Sequence, residues 1–143
     1  MSDDTFHTRE QVYAGAVFEQ IKPLIPQEGA PKDDEKEKYR KAYGSLAHKL
    51  PVLIRTAGLT QALAFVQARN KEGTPQRKLL ADLDLVLRKS GTLVAELKLV
   101  ERSRTAGFEE YMRITEGALE ALLWFKRFAQ SELKVQGADV KED

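Results

Sequence analysis

The sequence predicts an all-α fold, and three features carry that expectation. Ala, Leu, Glu, Lys and Gln, which all enter a helix at little cost, dominate the chain. No run of four to eight residues alternates apolar with polar as a half-buried strand would. Apolar residues instead recur at three- and four-residue steps, the spacing of a helix that buries one side. At 143 residues the chain suits one compact helical domain of about five to six helices with a long helix last. A chain of this size buries roughly 68–70% of its extended surface, enough for a core without staples.

The first helix is expected from about Thr8 to Leu24, with Tyr13, Ala16, Val17, Gln20 and Leu24 on one side and a stop at Pro23 and Pro26. "IPQEGAP" then reads as a loop, with Pro31 a favourable first helical residue and Asp33 to Glu37 placing negative charge against the next helix dipole. The second helix, about Lys32 to Lys49, presents Tyr39, Ala42, Tyr43, Leu46 and Leu50, and Pro51 should break or kink it. A short segment follows and ends at Gly58, a left-handed C-cap.

The third helix, Leu59 to Asn70, is apolar nearly all round and therefore demands burial. Thr74 is placed as N-cap and Pro75 as first residue of a fourth helix whose buried stripe is Leu79, Leu80, Leu83, Val86 and Leu87. "KSGT" ends it, and a shorter fifth helix covers about Leu93 to Arg102. The last helix runs from about Thr105 to Leu133, roughly 43 Å long. Phe108, Tyr111, Ala118, Leu122, Phe125 and Ala129 share one of its faces, and apolar residues on the others let it pack on two sides or offer one side to a partner. Residues 1–7 and 136–143 are polar and read as flexible tails.

Charge is segregated along the chain although the formal net charge is only +1. Residues 49–104 hold eleven basic against five acidic side chains, a net of +6, and the remainder is correspondingly acidic. The middle of the chain is thus the expected anion-facing surface. Arg77 and Arg88 stand eleven residues apart, as do Lys78 and Lys89, so each pair lies on nearly one line of the fourth helix. The alternative is a solvated face in which Asp84 pairs with Arg88 at the i, i+4 spacing.

Catalytic chemistry finds little material. With no cysteine, disulfides and thiolate metal sites are excluded, and a cytoplasmic protein is the default. His7 and His48 read as solvated histidines, and "DDEKEK" as a helix start rather than an acid and base pair. Phosphate-cradling glycine motifs and HExxH are absent. No catalytic residue, metal or cofactor is expected, and no run is apolar enough for a membrane span.

"KLPVLIRTAGLTQALAFVQAR", residues 49–69, and "ALLWFKRFAQSEL", residues 121–133, resemble the small helical subunit of the Cmr, or type III-B, CRISPR effector complex; the analogous type III-A subunit is the nearest rival. The resemblance implies a non-catalytic role. Such subunits stack in several copies along a filament, beside the backbone RAMP subunits and with the large subunit, and help form the channel in which target RNA pairs with guide RNA. It supplies no residue-level contact motif. The candidate RNA contacts are therefore chosen by charge: Arg55, Arg69, Arg77, Lys78, Arg88, Lys89, Lys126 and Arg127. A second reading is a duplex-DNA regulator, with a helix-turn-helix spanning Leu79 to Arg102. It is weakened by the apolar start of its second helix, Thr92-Leu93-Val94-Ala95. A small hydrolytic enzyme is the third.

Overall fold

The computed structural model describes residues 6–69, 71–94 and 96–137. Thr8 starts the first helix, α1 (Arg9–Ile21), through a capping box: its hydroxyl accepts from the Gln11 amide, and its own amide donates to the Gln11 side chain at 2.8 Å. The expected final turn is present as a 3-10 turn, Lys22–Leu24. Pro23 within it has no amide proton to continue the α-helical pattern.

The second helix, α2 (Asp34–Ala57), is capped by the Asp33 carboxylate, which accepts from the amides of Glu35 and Lys36. That bond, rather than Pro31, sets its start. The expected break at Pro51 does not occur, and α2 runs through it. Leu50, Pro51 and Ile54 are all buried on one side, and that burial offsets the roughly 3 kcal/mol a mid-helix proline costs. Gly58 alone joins α2 to α3 (Leu59–Gln67). Its amide donates to Ile54 and its carbonyl accepts from Ala62. The φ of +90° is positive as expected, but ψ of 159° is extended rather than left-handed helical, a combination essentially confined to glycine.

Thr74 and Pro75 open α4 (Pro75–Lys89) as expected, with the Thr74 hydroxyl accepting from the Arg77 amide, and the five-residue stripe is buried. The third helix ends at Gln67 and exposes Ala64, so its burial is one-sided; Asn70, its expected end, lies outside the described residues.

The fifth helix departs most. It is α5 (Leu99–Thr105), not Leu93 to Arg102. Thr92 and Leu93 instead close α4, both amides donating to the Leu87 carbonyl, and both side chains are buried. The second helix of the proposed helix-turn-helix therefore does not begin there; Thr92 and Leu93 face the core, and Val94 is exposed. Ala95 lies outside the described residues.

The last helix, α6 (Phe108–Ser131), about 36 Å long, packs on α1, α2 and α4. It is antiparallel to α2, since Tyr43 meets Phe125 at 6.5 Å while Gly58, at the other end of α2, lies beside Tyr111. Among the described residues one apolar core draws on each helix from α1 to α6. Beyond α6 the chain folds back: Val135 is buried against Gly44, where a Cβ would stand only 2.7 Å from it. His48 is buried rather than solvated, and its Nε2 lies 2.9 Å from the Val135 carbonyl. Most of the two expected tails, residues 1–5 and 138–143, lies outside the described residues. Among the described residues no helix is long and apolar enough to cross a membrane.

Polar ties run through the core. The Tyr43 hydroxyl donates to Asp82 at 2.6 Å, and Lys78 donates to Asp82 at 2.8 Å and to the Gln20 carbonyl at 3.0 Å. These link α1, α2 and α4. Burial raises the Asp82 carboxyl above its ordinary value, opposed by the bonds from Lys78 and Tyr43. Tyr43→Phe leaves one of those acceptor positions unmet and should cost about 1–3 kcal/mol, read as a lower urea midpoint at unchanged slope. The raised carboxyl also has a signature in pH. The native state holds its proton more tightly than the unfolded chain, so this group's stabilising contribution is complete below the unfolded value near 3.8 and is lost as pH rises through the higher native one. The stability of the wild type relative to Asp82→Asn should fall across that window and then level off; a difference that grows with pH would contradict the assignment.

Candidate nucleic-acid interface

The structure gives two of the eight expected RNA contacts internal roles. Lys78 reaches inward from α4, bonded to Asp82 and Gln20 as above, and its ammonium also lies 5.5 Å from the Tyr43 ring centroid. Arg88 pairs with Asp84 at 2.5 Å and donates to the Leu97 carbonyl at 2.7 Å. The other Asp84 oxygen accepts from the Leu99 amide at 2.8 Å. Asp84 thus caps the first turn of α5 while Arg88 braces the segment before it. The i, i+4 pairing weighed against a basic strip is the one the fold adopts, and it fixes α5 against α4.

The remaining six are exposed. Arg55 stands in the last turn of α2, beside the end of α6 that carries Tyr111. Lys126 and Arg127 sit fifteen or more residues farther along α6, about 22 Å from Tyr111. Arg69 follows α3 with its guanidinium 4.4 Å from the Phe65 ring centroid, and Arg127 lies 5.3 Å from that of Trp124. Such stacking steadies a cation near the surface without consuming its hydrogen-bond donors. Lys89 closes α4. These positions do not form a single strip.

One concave feature does gather cations. The end of α3, the outward side of α4 and α5 enclose a cleft of about 660 Å³. Its floor is Leu80, Leu85, Leu99 and Val100, and Arg77, Lys98 and Arg104 stand around it. None of these three makes an ion pair among the described residues. Of the two carboxylates present, Asp84 is taken by Arg88 and Leu99, leaving Glu101. The local balance is positive in a partly enclosed space, where field lines concentrate.

Sequence reasoning selected Arg77 but not Lys98 or Arg104. Both belong to the basic middle of the chain, but the misplaced fifth helix hid their relation to α4. The signal available was Asp84 itself, a carboxylate fifteen residues before an apolar helix start with no capping side chain of its own. Arg102 is not available in the same way. Its guanidinium forks onto the Glu110 carboxylate, with Nε at 2.9 Å from Oε2, and holds that carboxyl below its ordinary range.

The chemistry open to this cleft is recognition of phosphates without a base code, since its walls are cationic and aliphatic and no aromatic ring lines it among the described residues. If Asp84 positions α5, then Asp84→Ala should speed hydrogen exchange of the Leu99 amide by about tenfold to a hundredfold, the equivalent of losing a charge-assisted bond worth about 1.5–3 kcal/mol. Exchange in the middle of α6 should be unchanged. Uniform acceleration across the chain would instead mean global loss of stability.

With this geometry in place, known proteins show clear likenesses. The family described as "CRISPR-associated protein (Cas_Cmr5)" matches residues 9–132. The CRISPR system Cmr subunit Cmr5 of Thermus thermophilus is 41% identical over 125 residues, covering 87% of this chain and 95% of that protein. A crystal structure of a CRISPR-associated Cmr5 family protein, also from Thermus thermophilus, superposes with a TM-score of 0.67 at 40% identity, covering 89% of this chain and 98% of that one.

Proposed function

Because the chain belongs to the Cmr5 family of CRISPR-associated proteins, we propose that it serves as a non-catalytic small subunit of a type III-B (Cmr) effector complex, stacking along the filament and helping form the channel in which target RNA pairs with guide RNA. Its partners in this reading are the backbone RAMP subunits, the large subunit and further copies of itself, in the cytoplasm. The cleft of Arg77, Lys98 and Arg104 carries the RNA part of the proposal. Three cations that make no ion pair among the described residues flank an aliphatic floor, the arrangement that neutralises a sugar-phosphate backbone irrespective of sequence. Arg55, Arg69, Lys89, Lys126 and Arg127 remain secondary candidates by exposure. Lys78 and Arg88 leave the set, because removing either from its carboxylate would strand a buried or half-buried acid.

The stacking part is supported by apolar side chains that this chain leaves uncovered. Phe108 is 79% exposed at the start of α6, and Met112 and Leu123 follow on the same outward side. Val52 is exposed on the antiparallel neighbour α2. Water contact at such residues is costly enough to favour protein neighbours when they cluster.

Replacing Arg77, Lys98 and Arg104 together by Gln in the assembled complex should weaken target-RNA binding for all sequences alike. It should also reduce the slope of log affinity against log salt by about 2, at about 0.7 per lost single-strand phosphate contact. Recovery of the substituted chain in the complex at the wild-type level separates this effect from failed assembly. An unchanged slope in a complete complex removes the cleft from the RNA path.

A further inference from the structure

Two of the three cations around the cleft, Lys98 and Arg104, are carried by α5 and the residue before it, so the cleft is only as well formed as that helix is placed. Seven residues are too few to hold a helix by themselves in water, and within α5 only Leu99 and Ser103 are buried. Asp84 anchors its first turn. Otherwise α5 packs chiefly on α3, which in turn packs on α4, the helix that bears Arg77. The start of α3 meets the end of α5 at Thr60.

Neither of these helix ends completes its own hydrogen bonding. Gly58 precedes α3 and offers no side chain to the first amides, and the Ser103 carbonyl belongs to the last turn of α5, where carbonyls have no partner within the helix. One residue of α6 and one of α3 supply what is missing. The Tyr111 oxygen accepts from the Thr60 amide at 3.1 Å. The Thr60 hydroxyl has two acceptors in reach, the Ser103 carbonyl at 3.0 Å and the Tyr111 oxygen at 3.3 Å, and the carbonyl is the nearer. Burial would raise the Tyr111 phenol, but the donors gathered on its oxygen, the Thr60 hydroxyl and the amides of Thr60 and Leu59, outweigh it and hold the group below its ordinary value.

The Ser103 carbonyl is part of the peptide unit that leads into Arg104. That unit is planar, so a bond that fixes its oxygen also fixes the plane from which the Arg104 side chain departs. Ser103 is buried and Arg104 exposed, so the bond acts on the inner side of α5 while the cation stands on the outer. We propose that Thr60 is a positioning residue for phosphate recognition, its hydroxyl holding the end of α5 so that Arg104 stays at the cleft it shares with Arg77 and Lys98; this rests on the RNA reading of that cleft. Asp84 and Thr60 then secure the two ends of α5, one beside Lys98 and the other beside Arg104.

A cycle of substitutions in the assembled complex tests this. Thr60→Val keeps the shape of the side chain and removes its donor. It should speed exchange of the Ala106 amide, which closes α5 on the Arg102 carbonyl, by about threefold to tenfold, the equivalent of one ordinary hydrogen bond. Exchange in the middle of α6 should be unchanged. Target-RNA affinity should fall by about threefold or more for all sequences alike, and Thr60→Ser, which keeps the donor, should bind as the wild type does. In an Arg104→Gln background Thr60→Val should cost nothing further, because the group it positions is gone. If Thr60→Val does not fold, Thr60→Ala removes the same donor and takes its place in the cycle. Equal losses in the two backgrounds, Thr60→Ser as weak as Thr60→Val, or wild-type binding by Thr60→Val where Arg104→Gln weakens it each overturn the positioning role alone. Wild-type affinity and salt slope for Arg104→Gln overturn the place of Arg104 in the RNA path, and the positioning role with it.

Discussion

Asp82 is the carboxylate on which the arrangement of α1, α2 and α4 turns. It sits on the buried side of α4, receives the Tyr43 hydroxyl from α2, and holds the Lys78 ammonium that also reaches the last turn of α1. Leucines and alanines elsewhere in the core could slide by a turn at modest cost, because apolar contact is non-directional. A hydrogen-bonded acid has one position in which all its partners are met. Replacing such a group by apolar residues is often neutral for stability, whereas orphaning one member is costly. Its physical role is accordingly to set register, with α6 filling the space that the register leaves between α1, α2 and α4.

Asp84, two residues on, performs the corresponding task on the outer side of α4. A step of two residues turns about 200° around a helix, so the two acids face nearly opposite directions and each takes a cation from its own side: Lys78 for Asp82, Arg88 for Asp84. The pairs run in opposite chain directions, one cation preceding its acid and the other following. Between them they divide what spacing alone presents as one basic strip into two structural clamps and two exposed ends, Arg77 and Lys89. Arg77 then gains importance from its surroundings, because α5, held by Asp84, brings Lys98 and Arg104 to the same cleft.

The parts of the fold written in local chemistry were legible from the chain. The all-α class, the Thr8 and Thr74 starts, the α4 stripe and the positive φ at Gly58 each follow from residues within one or two turns. The errors lie where distant packing decides. Pro51 is tolerated because its neighbours on α2 are buried by other helices, and Thr92 is drawn inward by Tyr13, 79 positions earlier, at 2.7 Å. His48 is buried by a segment that returns from beyond α6. Of the candidate cleft, charge count pointed to the stretch 49–104 that supplies its cations but could not tell a cation with an internal acid from one without. Only Arg77 of the α4 cations lines the cleft, and its two companions there lie across a connection whose conformation periodicity does not encode.

The cations of the chain's basic middle are divided by the company they keep: Lys78 and Arg88 are held by acids of α4, while Arg77, Lys98 and Arg104 stand around the α3–α5 cleft. In the α3–α5 cleft the cations stand apart around leucine and valine, able to follow a flexible polyanion whose phosphates are spaced by its own backbone. α2 runs through this framework unbroken because burial of Leu50 and Ile54 outweighs the defect at Pro51.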